Sequence, residues 1–249
     1  MNSQHILGID VGASGIKGAV IDISTGEIVQ KRIRLEMPAE SSPENAGNVI
    51  AELARQFNYS GVIGIGFPSV IKDGTTLTAS NLDKSWIGCP IETFLGRKTN
   101  QRIIVLNDAD AAGLAEMRFG EGKNIKGTVI LITIGTGLGT AVFTDGHLLR
   151  NTELGHIFLQ NGVDAEKMAS DAARQREDLS WRKWAKRFDE YLELIELYLQ
   201  PQLIILGGGA SKHFDEYKDR ITIKTRVIPA KTLNSAGIIG AAVYAYENM

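Results

Sequence analysis

The chain has 249 residues with 27 basic and 29 acidic side chains, so its formal net charge is −2. This balance is not typical of a nucleic-acid-binding surface, and 43% apolar with 22% charged residues is ordinary for a globular protein. One cysteine, Cys89, excludes an internal disulfide and a zinc site built from thiolates. MNSQHILGID lacks the regions of a secretory signal, and no apolar run is long enough to span a membrane. We expect a soluble, cytoplasmic protein with no nucleic-acid or membrane partner.

The first part of the chain predicts three strands in a meander, followed by a helix. Apolar or alternating runs cover 5–11, 17–23 and 28–35, and turns that contain glycine separate them. A capping box from Ser41 to Glu44 then predicts the start of a helix.

The later elements are predicted from the same signals of periodicity and turn residues. They are a strand at 61–67, an irregular segment at 69–101, a strand at 102–108, a helix at 109–120, a strand–turn–strand unit at 127–146, mostly helix from about 164 to 200, a strand at 203–209 and a helix at 235–247. The long helical region carries an apolar stripe from Trp181 to Leu199, which is typical of a helix packed on a core.

Two segments of the chain share one pattern, ILGIDVGASGIKGAVID and ILITIGTGLGTAVFTDG. Each consists of an apolar strand, a glycine turn, a second apolar strand and an aspartate. Alignment of Asp10 with Thr133 gives an offset of 123 residues, close to half of the chain. We predict two similar α/β halves, 1–110 and 111–249, with a ligand cleft between them.

Three glycine turns stand at the ends of predicted strands, in residues 10–17, 133–139 and 206–211. Such turns can direct several backbone N–H groups at a phosphate, since glycine has no Cβ to prevent a close approach. The first turn is compatible with a simple hairpin, and its spacing matches neither GxGxxG nor a Walker A loop. Three turns of this kind favour phosphate binding over turns that only connect strands.

Two further motifs carry polar side chains that are suited to chemistry. Asn107 and Asp108 stand between a strand and a helix, where α/β proteins bind ligands, although Asp108 could instead serve only as a helix cap. Glu153 and His156 flank a glycine and can hydrogen-bond a polyol. Two ligands at this spacing make an incomplete metal site, and a lone histidine is more often structural than catalytic.

Together these motifs resemble the ROK family of sugar kinases, within the actin-like (ribonuclease H-like) ATPase superfamily. The resemblance extends from Asp10 to the last helix, and five motifs occur in the right order. They are the two phosphate motifs D10-V-G-A-S-G-I-K17 and T133-I-G-T-G-L-G139, the adenosine motif L206-G-G-G-A-S211, the catalytic stretch N107-D108 and the sugar motif E153-L-G-H156.

The resemblance implies a role for each motif residue. Asp108 is implied as the general base that takes the proton of the glucose 6-hydroxyl, and Asp10 as the residue that organises Mg²⁺. Glucose is held by Asn81, Asn107, Asp108, Glu153 and His156. The phosphates and the nucleotide side are surrounded by Asp10, Gly12, Ser14, Gly15, Lys17, Thr133, Gly135, Thr136, Gly137, Gly207, Gly208 and Gly209. A homodimer is also implied.

The chain departs from the typical ROK pattern in two places. Most members follow the histidine of the sugar motif with a cysteine-rich zinc motif, but residues 157–180 contain no cysteine, so we expect Mg²⁺ and no zinc. The polyphosphate glucokinases are a subgroup that also lacks these cysteines, and 81–88, 169–181 and 234–242 are similar to stretches of that subgroup. Ser69 replaces a glycine that the family usually has beside the sugar.

The predicted function is therefore a glucokinase that transfers a phosphoryl group from polyphosphate, ATP or both to glucose. The alternatives are a strictly ATP-dependent ROK glucokinase or another hexokinase and, more remotely, a sugar-sensing or actin-like assembly protein that is not an enzyme. A basic surface for polyphosphate is predicted from Lys84 and from a cluster of Arg174, Arg176, Arg182, Lys183, Lys186 and Arg187, although residues 182–187 are equally typical of the solvated face of a helix.

Overall fold

The computed structural model describes residues 4–79 and 82–249 of the chain. Its strands are β1 (His5–Gly12), β2 (Gly15–Asp22), β3 (Ile28–Glu36), β4 (Ile63–Phe67), β5 (Ile71–Lys72), β6 (Thr75–Thr76), β7 (Ile103–Asn107), β8 (Thr128–Ile134), β9 (Leu138–Thr144), β10 (His147–Leu149), β11 (Leu203–Gly208) and β12 (Arg226–Pro229). Its α-helices are α1 (Pro43–Gln56), α2 (Ile91–Thr99), α3 (Asp108–Phe119), α4 (Ala165–Ala169), α5 (Asp171–Arg176), α6 (Trp181–Leu199), α7 (Phe214–Tyr217) and α8 (Ala236–Glu247).

Two five-stranded sheets with the same topology are present in the described part of the chain. In the first sheet the order is β3-β2-β1-β4-β7, with β1 to β3 antiparallel and with β4 and β7 parallel to β1. In the second the order is β10-β9-β8-β11-β12, with the same directions. Asp10 and Thr133 are each the sixth residue of the middle strand. The predicted duplication of an α/β half is therefore confirmed.

The described chain forms two compact units, and their limits differ from the predicted division after residue 110. One unit runs to Ala115 and includes Ser235–Met249, and the other is Glu116–Asn234. The last helix belongs to the first unit because α8 packs directly on β1 and β4. A Cβ on Gly64 of β4 would lie 2.5 Å from the carbonyl carbon of Ala241, so only glycine allows this approach.

Each unit has its own apolar core. In the first unit, Ile50 and Leu53 of α1 pack with the sheet strands, and the rings of Phe67 and Trp86 lie 4.7 Å apart. In the second unit, the predicted stripe of α6 is buried against β8 and β11, and the rings of Trp184 and Phe188 are stacked at 4.8 Å. The interpretation of this stripe as core is confirmed.

Several local predictions were wrong. The segment predicted as irregular contains the β5–β6 hairpin and the nine-residue helix α2, whose apolar stripe is too short to give a clear periodic signal. The N-cap of α1 is Ser42, whose side chain accepts the N–H of Asn45. Ser41 instead accepts the N–H of Asp83 at 3.1 Å.

None of the described helices is both long and apolar enough to cross a membrane.

Candidate active site

Asp10 and Lys17 face each other across the first hairpin. They are paired in the register of β1 and β2, and Nζ of Lys17 lies 3.6 Å from Oδ2 of Asp10. Burial raises the pKa of the Asp10 carboxyl above its usual value, while the charges of Lys17 and Arg32 oppose this rise. The structure therefore holds a carboxylate beside cations at the end of a central strand.

The first glycine turn is a tight hairpin loop. Gly12 pairs with Gly15, and the two residues between them, which include Ser14, are exposed. Arg34 on β3 is paired with Lys17 in register and donates a hydrogen bond from Nη2 to the carbonyl oxygen of Ser14 at 2.8 Å. Sequence reasoning missed Arg34, although a three-stranded meander places every second residue of β3 on this face.

Asn107 and Asp108 lie where β7 ends and α3 begins. Oδ1 of Asn107 accepts the N–H groups of Ala109 at 2.8 Å and Asp110 at 3.2 Å, so Asn107 caps the helix. Oδ1 of Asp108 also accepts the N–H of Ala109 at 2.9 Å, and its carboxyl group is half-buried. The helix cap that was considered for Asp108 is therefore largely supplied by Asn107.

Ser69 is buried and belongs to the hydrogen bonds of its own loop. Its hydroxyl donates to the carbonyl of Thr78 at 2.8 Å, and its carbonyl accepts from Nδ2 of Asn107 at 3.2 Å. The backbone of Ser69 is not in the left-handed region, so the replacement of glycine causes no strain there. Asn81 was predicted to hold glucose, and it lies outside the described residues.

Asp10 and Asp108 lie at the same edge of the first sheet. The register pairs Asp10 with Gly66 of β4, and the next residue of β4, Phe67, with Asn107 of β7. These three strands are parallel, so their carboxyl ends meet at one edge, which is where open α/β sheets bind ligands. The structure thus brings the predicted metal carboxylate and the predicted base to the ends of two strands that flank β4.

The second and third glycine turns lie side by side in the second unit. Thr133 of β8 pairs with Gly207 of β11, so both strands end together. The φ angle of Gly208 is +78°, which strongly favours glycine. A Cβ on Gly135 or Gly209 would meet no atom within 4 Å, so both glycines border open space. Thr136 is exposed, and the N–H of Gly135 donates to the carbonyl of Gly137 at 3.0 Å.

The Glu153–His156 motif forms a short 3-10 turn and lies within an acidic group. Partial burial raises the pKa of the Glu153 carboxyl, the charge of His156 opposes the rise, and the charge of Glu166 adds to it. Nδ1 of His156 lies 2.9 Å from Oδ2 of Asp164. The predicted pair is thus part of a larger set of polar side chains.

Glu166 links this motif to the second glycine turn. Its Oε2 accepts the N–H of Leu138, the first residue of β9, at 3.0 Å. A Cβ on Gly137 would meet the carboxyl group of Glu166. Sequence reasoning missed both Glu166 and Asp164, and no local pattern distinguishes them from ordinary residues at the start of a helix.

The cations of the predicted polyphosphate cluster are partly engaged. Nε of Arg174 lies 2.6 Å from Asp171, and its guanidinium lies 4.0 Å from the centre of the Trp181 ring. Glu177 pairs with Arg176 at 3.3 Å and with Arg187 at 2.6 Å. Arg182, Lys183 and Lys186 are exposed. Three cations of the cluster, all on α6, are therefore exposed to solvent.

A Mg²⁺ ion in this site would need carboxylate ligands from the protein. No cluster of three or more His, Cys, Asp or Glu residues able to hold a metal occurs in residues 4–79 and 82–249. Mg²⁺ commonly uses one or two carboxylates together with substrate phosphates and water. The space for the Asp10 carboxyl is made by Gly237 of α8, where a Cβ would lie 2.8 Å from the carboxyl carbon. Asp10 therefore fits a metal that arrives with a phosphate substrate.

Known proteins resemble this chain in sequence and in fold. The sequence profile of the ROK family matches residues 6–170. A polyphosphate glucokinase of Mycobacterium tuberculosis is 43% identical over 241 residues, which are 96% of this chain and 91% of that protein. The polyphosphate glucokinase of Mycobacterium leprae is 40% identical over 95% of this chain and 73% of its own length.

Among solved structures, the inorganic polyphosphate/ATP-glucomannokinase of Arthrobacter sp. strain KM superposes with a TM-score of 0.95. It is 38% identical, and the match covers 98% of this chain and 99% of that chain. The two sheets and the glycine turns are thus those of an α/β protein with the actin-like ATPase fold. The chain belongs to the ROK family.

Proposed function

We propose that this protein is a glucokinase that transfers a phosphoryl group from inorganic polyphosphate, ATP or both to the 6-hydroxyl of glucose. The observation that carries the proposal is the identity of 43% with a polyphosphate glucokinase over 96% of the chain. The likeness of the whole fold to a polyphosphate/ATP-glucomannokinase supports it, and mannose is accordingly a second candidate acceptor.

Asp108 acts as the general base of the proposed reaction. Its carboxylate takes the proton of the sugar 6-hydroxyl while that oxygen forms a bond to the terminal phosphorus and the bond to the rest of the donor breaks. The position of Asp108 at the start of α3 supports this role, because a negative side chain is stabilised at a helix N-terminus. Asn107 supplies most of the cap and also has an N–H group available to a sugar hydroxyl.

The glycine turns hold the phosphates of the donor. Gly12, Gly15 and Ser14 form one turn beside Lys17, and the open backbone at Gly135 and Gly209 supports close approach of a phosphate in the second unit. The remaining residues of this set are Thr133, Thr136, Gly137, Gly207 and Gly208. Backbone N–H groups and the Lys17 ammonium stabilise the negative charge of the transferred group.

Asp10 holds Mg²⁺ together with the phosphates of the donor. When bound, the metal neutralises charge that develops on the phosphate oxygens. The Lys17 ammonium, 3.6 Å from Asp10, favours the ionised carboxylate and so opposes the rise in its pKa that burial causes. We expect activity to require Mg²⁺ and no zinc.

Glucose is bound by Glu153 and His156, and we add Glu166 because it lies in the same group of charges. Carboxylates accept hydroxyl hydrogen bonds, and an imidazole nitrogen can accept or donate, so this set matches a polyol. Asn81 remains a predicted sugar ligand.

The test is formation of glucose 6-phosphate, measured in parallel with polyphosphate and with ATP in the presence of Mg²⁺. We expect product from polyphosphate. Product with ATP but not with polyphosphate would favour the strictly ATP-dependent glucokinase. The absence of product with both donors, for glucose and for mannose, would contradict the proposed activity. Elemental analysis of the active protein tests the absence of zinc, since stoichiometric zinc would contradict it.

We also propose that the protein is a cytoplasmic homodimer, which follows from the family resemblance. Light scattering should then give twice the chain mass of 27.1 kDa. A single chain mass at assay concentrations would contradict the dimer.

A further inference from the structure

The imidazole of His156 makes one hydrogen bond that sugar binding by itself does not explain. Its Nδ1 lies 2.9 Å from Oδ2 of Asp164, whose side chain is 18% exposed against 41% for His156. Within residues 4–79 and 82–249, Nε2 of His156 has no hydrogen-bond partner. One ring nitrogen is therefore held by the protein and the other is available to a ligand.

A short loop after His156 brings Asp164 back beside its ring. The N–H of Leu159 donates to the carbonyl of Val163 at 2.9 Å, and the N–H of Ala165 donates to the carbonyl of Ile157 at 2.9 Å. The other carboxylate oxygen of Asp164, Oδ1, accepts the N–H of Glu166 at 2.9 Å and caps α4. Because one oxygen accepts a hydrogen bond from the helix and the other lies against the ring, both contacts favour the orientation of the carboxylate towards His156.

We propose that Asp164 is a positioning residue that holds neutral His156 in the tautomer with the proton on Nδ1, so that Nε2 is presented to a sugar hydroxyl. This inference rests on the proposed role of His156 in glucose binding. A carboxylate can only accept a hydrogen bond, so the ring must donate from Nδ1. Nε2 then accepts a hydrogen bond from a sugar hydroxyl when the ring is neutral and donates one to a hydroxyl oxygen when the ring is charged.

The surrounding charges decide the pH at which this change occurs. Partial burial lowers the pKa of His156, but the hydrogen bond to Asp164 and the charges of Glu166, Asp164 and Glu153 raise it more. The net pKa therefore lies above the ordinary value of 6.5. Loss of the Asp164 charge should move the His156 titration to lower pH.

Two variants separate the helix cap from the contact with His156. Asp164→Asn keeps the shape and the cap but removes the charge, whereas Asp164→Ser keeps a capping oxygen that is too short to reach the ring. Asn161→Ala is the matched control, because Asn161 accepts the N–H of Val163 at 3.0 Å in the same loop and does not contact His156. Only a role in positioning the ring predicts that the two Asp164 variants differ from this control.

The first measurement is the NMR titration of the ring, with the His156 signals assigned among four histidines by their loss in His156→Gln. We expect neutral His156 to carry its proton on Nδ1 in the wild type and in Asn161→Ala. In Asp164→Asn and Asp164→Ser the pKa of His156 should fall, and in Asp164→Ser the tautomer with the proton on Nε2 should become the main form. The tautomer protonated on Nε2 in the wild type, or an unchanged titration in both variants, would overturn the proposal.

The second measurement is the pH dependence of the KM for glucose. We expect Asp164→Ser to raise this KM about three- to tenfold, as for one lost hydrogen bond, while kcat changes less than about twofold. The pH at which the KM changes should move down in Asp164→Asn. An unchanged KM and pH profile in both variants would overturn the proposal.

The two proposals fail in different ways. If glucose neither moves the His156 signals nor yields glucose 6-phosphate with the wild type, the proposed function is wrong, and the inference falls with it. If glucose does both but the Asp164 variants behave like Asn161→Ala, only the role of Asp164 is wrong.

Discussion

At the start of α3, two neighbouring side chains have different tasks. Asn107 is 8% exposed and uses its oxygen to cap the helix and its nitrogen to hold the loop of Ser69. Asp108 also accepts the N–H of Ala109, at 2.9 Å. The capping amide of Asn107 and the carboxylate of Asp108 thus stand side by side where β7 ends and α3 begins.

Replacement of Asp108 by Asn should remove the proton acceptor with almost no change of shape. We expect kcat to fall by about 10²–10⁴-fold while the melting temperature and glucose affinity stay close to those of the wild type. Calorimetric glucose binding and a steady-state assay measure the two effects. Asp215→Asn, at an exposed site that pairs with Lys218, is the control and should keep full activity. A rate within a few-fold of the wild type in Asp108→Asn would show that another group is the base.

The raised pKa of Asp10 predicts a conflict between stability and function. The pKa of Asp10 in the folded state lies above the ordinary value of 3.8. The free energy of unfolding therefore falls as the pH rises from 3.8 through the folded-state pKa, and it stays lower above that pKa. Asp10→Asn should therefore be more stable than the wild type at pH 7, by about 1.4 kcal/mol for each unit of the shift, and should lose activity. Chemical denaturation without Mg²⁺ at pH 4 and pH 7 measures the difference, which should be small at pH 4.

Asp22 provides the opposite case on β2. Hydrogen bonds from Ser24 lower the pKa of its carboxyl, so its contribution to stability is present above about pH 4 and is lost as the pH falls. Asp22→Asn should therefore lower the stability at pH 7. If Asp10→Asn also lowered it, burial would not be the dominant effect on Asp10.

At the scale of elements, the contact of α8 with the first sheet depends on small residues. Gly240 and Ala241 of the helix are buried, Gly64 of β4 lies against Ala241 and Ala245, and Gly240 lies against the backbone of Ala111. Since a main-chain carbonyl occupies the place of the missing Cβ, the helix cannot move aside without losing its other contacts with β1. The close approach brings the start of α8 to Asp10, and so it also shapes the site.

Gly64→Ala should therefore destabilise the protein by about 3 kcal/mol or more, because overpacking against a backbone is not easily relieved. Gly96→Ala is the matched control in α2, where a Cβ would approach no closer than 3.3 Å, to the carbonyl of Gln101. There the gain in helix propensity, up to about 1 kcal/mol, should balance or exceed the contact. Denaturation midpoints compare the two variants, and similar stabilities would contradict the proposed fit of α8.

At the scale of the whole molecule, the same strand–turn–strand unit is used twice. Asp10 and Thr133 occupy equivalent positions, but one pairs with Lys17 and the other with Gly139. The first copy therefore carries a carboxylate and an ammonium, and the second carries a hydroxyl beside open glycines. The duplicated fold thus supplies two glycine turns with different chemistry.

The net charge of −2 means that any attraction for a long polyanion has to be local. We expect the combined change of Arg182, Lys183 and Lys186 to Gln to raise the KM for polyphosphate several-fold and the KM for ATP little. The difference should shrink at high ionic strength, because salt screens exposed charges. The KM values for the two donors at low and high salt measure this.

The control replaces three other exposed lysines, Lys72, Lys123 and Lys126, by Gln and changes the net charge equally. An equal rise of the KM for polyphosphate in both triple variants would show that total charge, and not this cluster, determines the binding of polyphosphate. An equal loss with both donors would instead point to a shared phosphate site.

What the sequence determined by itself is the set of signals that act over short distances. Apolar or alternating runs predicted β1, β2, β8 and β9, and glycines predicted the turns between them, because both signals depend on neighbouring residues. The correspondence between the two strand–turn–strand segments could also be recognised in the sequence, since the duplication leaves a repeated pattern. The nine-residue α2 was missed because too few of its residues repeat to give a clear period.

Only the tertiary structure decided which distant side chains share a site. Asp164 meets His156, and Arg34 reaches Ser14, because loop closure and strand register bring them together. The return of α8 to the first sheet likewise depends on a match between Gly64 and Ala241, far apart in the chain. No local pattern encodes such contacts, since the free energy that selects them comes from packing and hydrogen bonds formed only when the whole unit is folded.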